Sequence, residues 1–389
     1  MTEHKTRVVV LGGGYAGTIA ANRLRMRPDV DITLVNARPD FVERIRLHQL
    51  LTGSDDAIVD YADVLGEGIR LVVDTATRID GAGRRIALAG GATLEYDYLI
   101  YAVGSTSAES PVPGAREFAY PIAELEEAQR LTGALAELPD SAPVCVVGAG
   151  PTGLETAAEL AEAGRVVTLV CGSVLGPYFR EPARKASAKR LRKLGTQIIE
   201  GDGATVVEVH ADEVVLADGR RIPSRVTIWT AGFGVPDLAK SSGLRTDSVG
   251  RLLTDETLTS LDDARIIAAG DAASPSGAPL RMSCQAATPL GAQAADTVLA
   301  HIGGTAPAPI NQAFTGECVS LGRHGGVIQI ARPDDTALPL YIGGRAAATV
   351  KEAVCKATVS FLRREARKPG SLFWFRGGRR DVSEPAVAP

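Results

Sequence analysis

Residues 7–17 read RVVVLGGGYAG, an apolar run that ends in glycines at positions 12, 14 and 17. The run has the length of one buried strand, and an Ala-rich helical stretch follows it. In a GxGxxG fingerprint the first glycine permits a tight turn, the second lets a pyrophosphate approach the backbone, and the third lets the helix pack on the strand. The stretch therefore predicts a strand–turn–helix unit that binds a dinucleotide through Gly12, Gly14, Tyr15, Ala16 and Gly17.

The chain contains a second copy of this pattern. Residues 144–153 read VCVVGAGPTG, with Gly148, Gly150 and Gly153 in the same spacing. Both copies continue into an Ala-rich helix and then a second β-branched strand, and both are followed by short strand-like segments with Gly-containing turns. Such a duplication predicts an α/β fold with two Rossmann-like nucleotide-binding domains and a small C-terminal region.

Composition places the chain among ordinary globular proteins. Of its 389 residues 45% are hydrophobic and 23% are charged, and no run of about 18 apolar residues predicts a membrane-spanning helix. The first residues lead directly into the strand at Val8, which predicts no signal peptide and a cytoplasmic location. The five cysteines show no CxxC spacing, so we predict no metal site.

The net charge of −4 is unevenly distributed along the chain. Residues 363–380 carry seven Arg or Lys and one Glu, so the rest of the chain is acidic and does not suggest nucleic-acid binding. A helix predicted near residues 346–368 precedes the aromatic run Phe373-Trp374-Phe375. We predict an apolar stripe through Val350, Val354, Thr358, Phe361 and Leu362, and a polar side that contains Lys351, Lys356, Arg363, Arg364, Arg367 and Lys368.

Aromatic rings between basic clusters are typical of an interfacial membrane anchor. Residues 350–380 are therefore candidates for peripheral contact with the inner face of the membrane. The alternative is that Phe373, Trp374 and Phe375 pack on the first domain or across a homodimer; both monomer and homodimer remain open.

Five motifs, in this order, resemble the FAD/NAD(P)-dependent pyridine-nucleotide oxidoreductase superfamily over about residues 5–305. They are the first glycine fingerprint for FAD, the junction Ala102-Val-Gly104, the second fingerprint for the nicotinamide nucleotide, the segment Trp229-Thr-Ala-Gly232, and Gly270-Asp271, whose Asp bonds the ribityl chain in the family. The resemblance implies FAD-binding parts at 1–112 and 233–305, an NAD(P)H-binding domain at 113–232, and C-terminal strands, amphipathic helix and basic tail at 306–389.

Both fingerprints lack the acidic residue that normally bonds the ribose about 20 residues further on. Asn36 and Cys171 occupy the two strand ends instead. Asn36 can still bond a ribose hydroxyl, and the absence of a carboxylate at Cys171 removes the repulsion that would reject a 2′-phosphate. NADH and NADPH therefore both remain open, as does the alternative that Cys171 is simply a small buried residue.

The subgroup follows from the cysteines and from one glutamine. No cysteine precedes Cys145, which excludes dithiol exchange at the position that disulfide reductases use. The chain resembles the type II NADH dehydrogenases and the apoptosis-inducing-factor-like quinone oxidoreductases. Type II NADH dehydrogenases carry a glutamine pattern beside the flavin that is associated with the quinone, and this sequence departs from it by keeping only the first glutamine, Gln285. Gln285 is therefore a candidate at the acceptor side, and a different acceptor or a different acceptor position stays open.

Three further groups are candidates for the chemistry. By resemblance Glu155 approaches the contact between nicotinamide and flavin, with a solvated helix carboxylate as the alternative, while Glu159 is expected to be a surface or pairing residue. Arg44, Arg46 and His48 would share one face on a strand and spread around a helix. A cation such as Arg44 could stabilise the reduced flavin, and His48 could pass a proton to a quinone or be only structural.

These residues predict an FAD-dependent NAD(P)H oxidoreductase that passes hydride from NAD(P)H through the flavin to an acceptor. The predicted acceptor is a quinone. Three alternatives stay open: an enzyme that acts on another small organic acceptor, as tailoring enzymes do; a slow-turnover flavoprotein that senses NAD(P)H; and a carrier module without chemistry, which the paired fingerprints disfavour.

Overall fold

The computed structural model describes residues 5–378 and 380. The strands are β1 Thr6–Leu11, β2 Val30–Asn36, β3 Asp40–Val42, β4 Ile58–Asp60, β5 Ile69–Val73, β6 Ala76–Asp80, β7 Arg85–Leu88, β8 Thr93–Glu95, β9 Tyr98–Tyr101, β10 Thr106–Ser107, β11 Ala119–Pro121, β12 Pro143–Val147, β13 Val166–Val170, β14 Gln197–Ile199, β15 Val206–Val209, β16 Glu213–Leu216, β17 Arg221–Pro223, β18 Val226–Trp229, β19 Phe233–Gly234, β20 Leu252–Thr254, β21 Ile266–Ala268, β22 Ala273–Pro275, β23 Gly316–Ser320, β24 Gly326–Ala331 and β25 Ala337–Gly343. The helices are α1 Tyr15–Leu24, α2 Leu47–Leu50, α3 Tyr61–Val64, α4 Ala115–Phe118, α5 Leu125–Ala136, α6 Pro151–Glu162, α7 Glu181–Lys193, α8 Leu238–Ser241, α9 Cys284–Ile302 and α10 Gly344–Arg367.

The first sheet is parallel, with strand order β21-β9-β1-β2-β5. Residues 8–11 of β1 are fully buried, because α1 and α9 pack over the sheet and their apolar side chains join one core with it. A strand buried in this way reads as a continuous apolar run, as residues 8–11 do. The edge strand β21 comes from residues 266–268, so the chain returns to this sheet after building a second one.

The second sheet repeats this arrangement in the order β11-β18-β12-β13-β14, again with parallel pairing. In both sheets the strand before the glycine fingerprint is central: β1 lies between β2 and β9, and β12 lies between β13 and β18. Each unit also carries a three-stranded antiparallel insert, β6-β7-β8 in the first and β15-β16-β17 in the second. The predicted α/β fold with two Rossmann-like sheets is confirmed.

Two segments that contain Pro and Gly, residues 105–115 and 232–236, are predicted by the sequence to be linkers. Short stretches of these two linkers run side by side. β10 and β19 form a short antiparallel ribbon in which Thr106 faces Gly234 and Ser107 faces Phe233. Tertiary pairing thus gives strand structure to segments whose sequence indicates only turns.

The C-terminal region packs against both units. Its antiparallel sheet β23-β24-β25 contributes Val319, Leu321 and Val327 to the core of the second unit. Helix α10 contributes Val359 and Leu362 to the core of the first unit. The region therefore fixes the two nucleotide-binding units to each other through apolar burial.

The apolar stripe predicted for α10 is wrong in part. Val350 and Phe361 are exposed, and the predicted polar residue Lys351 is largely buried. The buried face consists of Ala347, Lys351, Cys355, Thr358, Val359, Leu362 and Ala366, with Glu365 buried beside them. The prediction failed because a hydrophobicity pattern assigns every lysine to solvent, whereas Lys351 lies inside against a carboxylate.

The aromatic run divides between the protein interior and the surface. Trp374 is half-buried on the first unit, where its indole N–H donates to the Asn311 carbonyl at 3.0 Å and the Arg23 guanidinium lies 5.7 Å from its ring centre. Phe373 and Phe375 are 73% and 64% exposed. Packing on the first unit is thus observed for Trp374 alone. Among residues 5–378 and 380, no helix combines the length and the apolar character needed to cross a bilayer.

Helices α1 and α9 touch at Gly291. A Cβ at this position would overlap the backbone of Ala16, including its carbonyl oxygen. We expect Gly291→Ala to lower the free energy of unfolding by about 1–3 kcal/mol, because backbone atoms cannot move aside as side chains do. Urea unfolding measures the change.

Gly133→Ala in α5 is the matched control for this substitution. Nothing lies within 4 Å of the added Cβ, and Gly133 is exposed. There the loss of glycine's freedom should stabilise the helix by up to about 1 kcal/mol. If the two variants changed stability alike, close packing at Gly291 would not be the cause.

Candidate functional site

Close packing makes the first fingerprint possible. Gly12 has φ +95°, and a Cβ there would overlap the Ala102 carbonyl at the end of β9. A Cβ at Gly17 would overlap the Gly12 carbonyl. Helix α1 therefore lies directly on the turn that follows β1, as the roles of the first and third glycines require.

The second glycine of each fingerprint faces open space. Gly14 and Gly150 are the N-cap residues of α1 and α6, and neither helix receives a side-chain cap. A Cβ at either glycine would meet nothing within 4 Å. The unpaired N–H groups at each helix start thus face a space that the phosphates of a dinucleotide can enter. Both sites fit the group that their fingerprint predicts.

The second fingerprint is held by a threonine. Gly148 has φ +109°, and a Cβ there would lie 2.6 Å from Thr230 Oγ1. That hydroxyl donates to the Val147 carbonyl at 2.9 Å, and a Cβ at Gly153 would overlap the Gly148 carbonyl. Gly232, with φ +85°, follows at the end of the same segment.

The candidate FAD residues converge at one edge of the first sheet. Gly12, Ala102 and Gly270 lie beyond the carboxyl ends of parallel strands β1, β9 and β21, and Asn36 is the last residue of β2. Carboxyl ends of parallel strands meet at one edge, which is where open α/β sheets bind ligands.

Asp271 is hydrogen-bonded within this edge. The Ser105 hydroxyl donates to its carboxylate at 2.7 Å, and the Arg44 guanidinium donates to the Ser105 carbonyl at 2.9 Å. Arg44 also donates to the Ala123 carbonyl at 2.9 Å, and it approaches Gly104, which has φ +73°. These bonds fix Arg44 beside the candidate FAD residues.

Asn36 braces the first glycine loop. Its Oδ1 accepts from the Gly13 N–H at 2.9 Å, and its Nδ2 donates to the Arg38 carbonyl at 2.9 Å. One lone pair and one N–H of the amide remain for a ribose. Tyr15 and Ala16 are buried in the first turn of α1, with the Tyr15 ring edge-on to Phe41 at 5.1 Å.

Burial disfavours thiolate chemistry at every cysteine of the chain. It raises the pKa of Cys145, Cys171 and Cys355 to about 12, and it also raises the pKa of Cys284 and Cys318. A thiol with so high a pKa is a weak nucleophile at neutral pH. Cys171 is half-buried at the end of β13, where the sequence places it.

The strand considered for residues 44–48 is not formed. A 3-10 turn covers Arg44–Arg46, and α2 begins at Leu47. The three polar side chains therefore diverge: Arg44 goes to Ser105, Arg46 pairs with Glu352 at 3.1 Å, and His48 turns toward α6. Partners in three directions favour a helical turn over a strand, on which the side chains would share one face.

Glu155 is the centre of a buried polar network. It is 6% exposed on α6, so the alternative of a solvated carboxylate is wrong. Its Oε1 lies 3.0 Å from Lys351 Nζ and accepts from the Ser320 N–H at 3.0 Å, and its Oε2 lies 3.7 Å from His48 Nδ1. Burial alone would raise the pKa of Glu155, but chiefly the positive charge of Lys351, together with the hydrogen bond from Ser320, outweighs burial and lowers it.

Lys351 is a member of this network that the sequence pattern assigned to the polar side of α10. Its side chain is 11% exposed and also donates to the Cys318 carbonyl at 3.3 Å. Burial opposes its charge, yet Glu155 outweighs burial, and the pKa of Lys351 is raised. The sequence does contain an indication that Lys351 is buried: it lies four residues after Ala347 and four before Cys355, so the three side chains share one face of the helix.

His48 completes the network from the first unit. Its Nε2 lies 3.3 Å from Ser320 Oγ. Burial lowers the pKa of His48, so the imidazole is neutral at neutral pH, with one N–H and one acceptor nitrogen.

Two other predicted residues, Gln285 and Glu159, are hydrogen-bonded to groups outside this network. The Gln285 amide, in the first turn of α9, contacts Thr315 Oγ1 at 2.7 Å. Glu159 is buried and accepts from the hydroxyls of Ser54 at 2.7 Å and Thr52 at 3.2 Å. A surface position for Glu159 is therefore wrong: both hydroxyls bond its Oε1, while its Oε2 is buried without a hydrogen-bond partner among the described residues.

Comparison with known proteins places this geometry in a family context. The family model described as pyridine nucleotide-disulphide oxidoreductase matches residues 6–291. An NADH dehydrogenase-like protein of Mycobacterium tuberculosis is 31% identical over 76% of this chain and 80% of its own length. A type II NADH:quinone oxidoreductase of the same organism is 28% identical over 83% of this chain and 79% of its own length.

Solved structures share the fold at low sequence identity. The sulfide:quinone oxidoreductase of Aquifex aeolicus has a TM-score of 0.80 at 20% identity, covering 94% of this chain and 93% of its own. NDH2 from Plasmodium falciparum in complex with NADH has a TM-score of 0.77 at 15% identity, covering 95% of this chain and 99% of its own. At these identities the likeness concerns the fold alone.

Removing the lysine from the buried pair tests the energetics of the network. We expect Lys351→Met to destabilise the protein by about 3–5 kcal/mol, because Glu155 remains buried without its strongest partner. Lys356→Met, in the same helix but with a side chain 73% exposed, should change stability by no more than about 0.5 kcal/mol.

Urea unfolding of both variants measures the difference. Lys351→Met combined with Glu155→Gln should recover part of the loss, since the uncompensated charge is then removed. Equal stability of the two single variants would mean that the Glu155 carboxylate does not depend on Lys351.

Proposed function

The chain belongs to the pyridine nucleotide-disulphide oxidoreductase family, and we propose that it is a flavin-dependent enzyme that transfers reducing equivalents from NAD(P)H to a quinone. The observation that carries this proposal is the pair of uncapped helix starts at Gly14 and Gly150, each facing open space beyond a parallel sheet. Two dinucleotide sites in one chain are what electron transfer from a nicotinamide to a flavin needs.

FAD is proposed for the first site. The turn of Gly12, Gly14 and Gly17 would hold its pyrophosphate, and Asp271 would bond its ribityl chain. FAD, when bound, accepts hydride from NAD(P)H and passes two electrons on to the acceptor. The contribution of Arg44 is a fixed positive charge beside that site, since two carbonyl groups and a hydroxyl hold its guanidinium in place.

NAD(P)H is proposed for the second site, over Gly148, Gly150 and Gly153. Cys171 follows the neighbouring strand and carries no carboxylate of its own; the nearby Glu200 carboxylate, which helps to raise the pKa of Cys171, accepts from the Leu175 N–H at 3.0 Å. The position itself thus carries neither the acid that selects the ribose hydroxyl of NADH nor the repulsion that this acid would exert on the 2′-phosphate of NADPH. Both coenzymes are therefore proposed as donors. Glu155, two residues beyond Gly153, connects this site to the buried network.

Protons for the acceptor would come from the chain itself. Reduction of a quinone takes up two protons with two electrons, and His48, Glu155, Lys351 and Ser320 form a connected set of proton-bearing groups. Lys351 and Ser320 also line a cleft that opens to solvent, so a proton that the network gives up can be replaced.

Three considerations support a quinone as the acceptor. The Mycobacterium tuberculosis relative described above is named as a quinone oxidoreductase. The raised pKa values of all five cysteines disfavour an acceptor that reacts with a thiolate. The buried network provides protons, which a quinone requires and a one-electron protein partner does not.

Contact with a membrane is proposed through the exposed rings of Phe373 and Phe375. Their centres are 5.8 Å apart in an edge-to-face pair, and Trp374 between them anchors the segment to the first unit. Arg376 follows directly, so apolar rings and positive charge occur together, as binding to an anionic lipid surface requires.

A charge placed at the second helix start tests the nucleotide assignment. Gly150 has φ −73° and room for a side chain, so Gly150→Asp should fold, and its carboxylate should cap α6. The new carboxylate repels the phosphate groups of the coenzyme, so we expect flavin reduction by NADH and by NADPH to slow about 100-fold. The flavin content of the variant and the rate of its reduction by dithionite should not change.

Anaerobic stopped-flow absorbance measures these rates, and Gly133→Asp supplies the same charge at a distant exposed helix position. Mixing the reduced protein with short-chain menaquinone and ubiquinone analogues then tests the acceptor. Purified protein without flavin refutes the proposal. Rapid reoxidation by dyes alone indicates another organic acceptor, and negligible turnover with every acceptor indicates a sensor.

Vesicle binding tests the aromatic pair. We expect the protein to sediment with anionic phospholipid vesicles and Phe373→Ser/Phe375→Ser to lose at least about tenfold in partitioning, since each buried Phe side chain contributes about 1.5–3 kcal/mol. Phe233→Ser, at an exposed ring in the linker ribbon, is the control. Equal sedimentation of all three proteins would exclude the pair as the contact.

A further inference from the structure

A solvent-open cleft of about 420 Å³ lies between the loop after β23 and the first turns of α10. Most of its charged lining is cationic: Arg323, Arg345, Lys351 and Lys356 contribute to its walls, with one carboxylate, Glu352, among them. Lys351 and Ser320 connect it to the buried network, while the candidate FAD and NAD(P)H residues do not line it. The cleft is therefore a separate feature whose charge needs an explanation.

The positive charges of the cleft exceed the negative ones. Lys351 is balanced by Glu155. Glu352, in contrast, is shared by two cations of the cleft, Arg323 at 3.1 Å and Lys356 at 3.6 Å. It also pairs with Arg46 at 3.1 Å, which does not line the cleft and has Glu43 and Asp55 as further partners, each at 3.3 Å.

Within residues 5–378 and 380, the guanidinium of Arg345 has neither an ion pair nor a hydrogen bond. The Glu352 carboxylate thus has more than one cationic partner, whereas the Arg345 guanidinium has no carboxylate partner among the described residues.

The start of α10 adds to this imbalance. The helix is 24 residues long, Gly343 provides no side-chain cap, and the first turn contains no acidic residue. Arg345 is its second residue, although the positive end of a helix dipole favours an anion and disfavours a cation. An anion at this position would satisfy both the helix start and the arginine.

We propose that the cleft is a binding site for a small oxyanion, either phosphate or a short dicarboxylate. Arg323 and Arg345 would donate to its oxygens from the two walls, because planar guanidinium groups match the geometry of carboxylate and phosphate. Lys356 adds charge at the rim. The ligand lies beside the Glu155–Lys351 pair without being the electron acceptor, and the site does not depend on the acceptor's identity.

Isothermal titration calorimetry on the full-length, flavin-loaded protein tests the site. Inorganic phosphate and malonate are titrated separately at an ionic strength matched with sodium chloride. We expect saturable binding with one ion per chain, weakened about tenfold or more by Arg345→Gln, because a hydrogen bond to a charged group is lost. Arg323→Gln, on the opposite wall, should weaken binding as well.

Arg364→Gln is the matched control. It removes the same charge from an exposed position of the same helix that does not line the cleft, and we expect its affinity to stay within about twofold of the parent, as screened surface charges allow. Binding of phosphate, of malonate or of both supports the site and identifies the oxyanion class. Absence of saturable heat with both anions, or an equal loss in Arg345→Gln and Arg364→Gln, overturns the proposal.

The calorimetric experiment contains neither electron donor nor acceptor. A protein that binds phosphate but reduces no quinone would therefore refute only the proposed enzyme activity. A protein that reduces quinone but binds neither anion would refute only the oxyanion site.

Discussion

The ion pair between Glu155 and Lys351 lies at the centre of the candidate site. Glu155 belongs to the helix of the second glycine fingerprint, Lys351 to the C-terminal helix, and their neighbour His48 to the first unit. A charged pair excluded from water is stable only while each partner remains in position. The two nucleotide-binding units and the C-terminal region are thus tied at the point where their candidate catalytic groups meet.

The C-terminal region is what turns two similar units into one site. Its sheet extends the core of the second unit and its helix extends the core of the first, so apolar burial on both sides positions Lys351 and Ser320 over Glu155. The same helix presents Lys351 inward and Arg345, Glu352 and Lys356 to an open cleft. One helix therefore serves a buried network and a hydrated charged surface at once.

Local sequence patterns predicted the features that depend on residues close together in the chain, above all the two strand–turn–helix units. The glycine spacing predicted both strand–turn–helix units, because the contacts that demand glycine lie between residues that the turn brings together, such as Gly12 and Gly17. Patterns failed where partners come from far along the chain. Lys351 looked solvated, residues 44–48 could be read as strand or helix, and the linkers showed no sign of pairing, since their partners are distant in sequence.

The sequence by itself determined the α/β architecture, the duplication, the residues at the carboxyl edges of both sheets, and the absence of an early cysteine pair. Only the tertiary structure decided that Glu155 is buried, that Lys351 and Ser320 are its partners, and that Trp374 packs inward while Phe373 and Phe375 stay exposed. The physical reason is that backbone turns follow from local sterics, whereas the environment of a charge depends on which distant elements cover it.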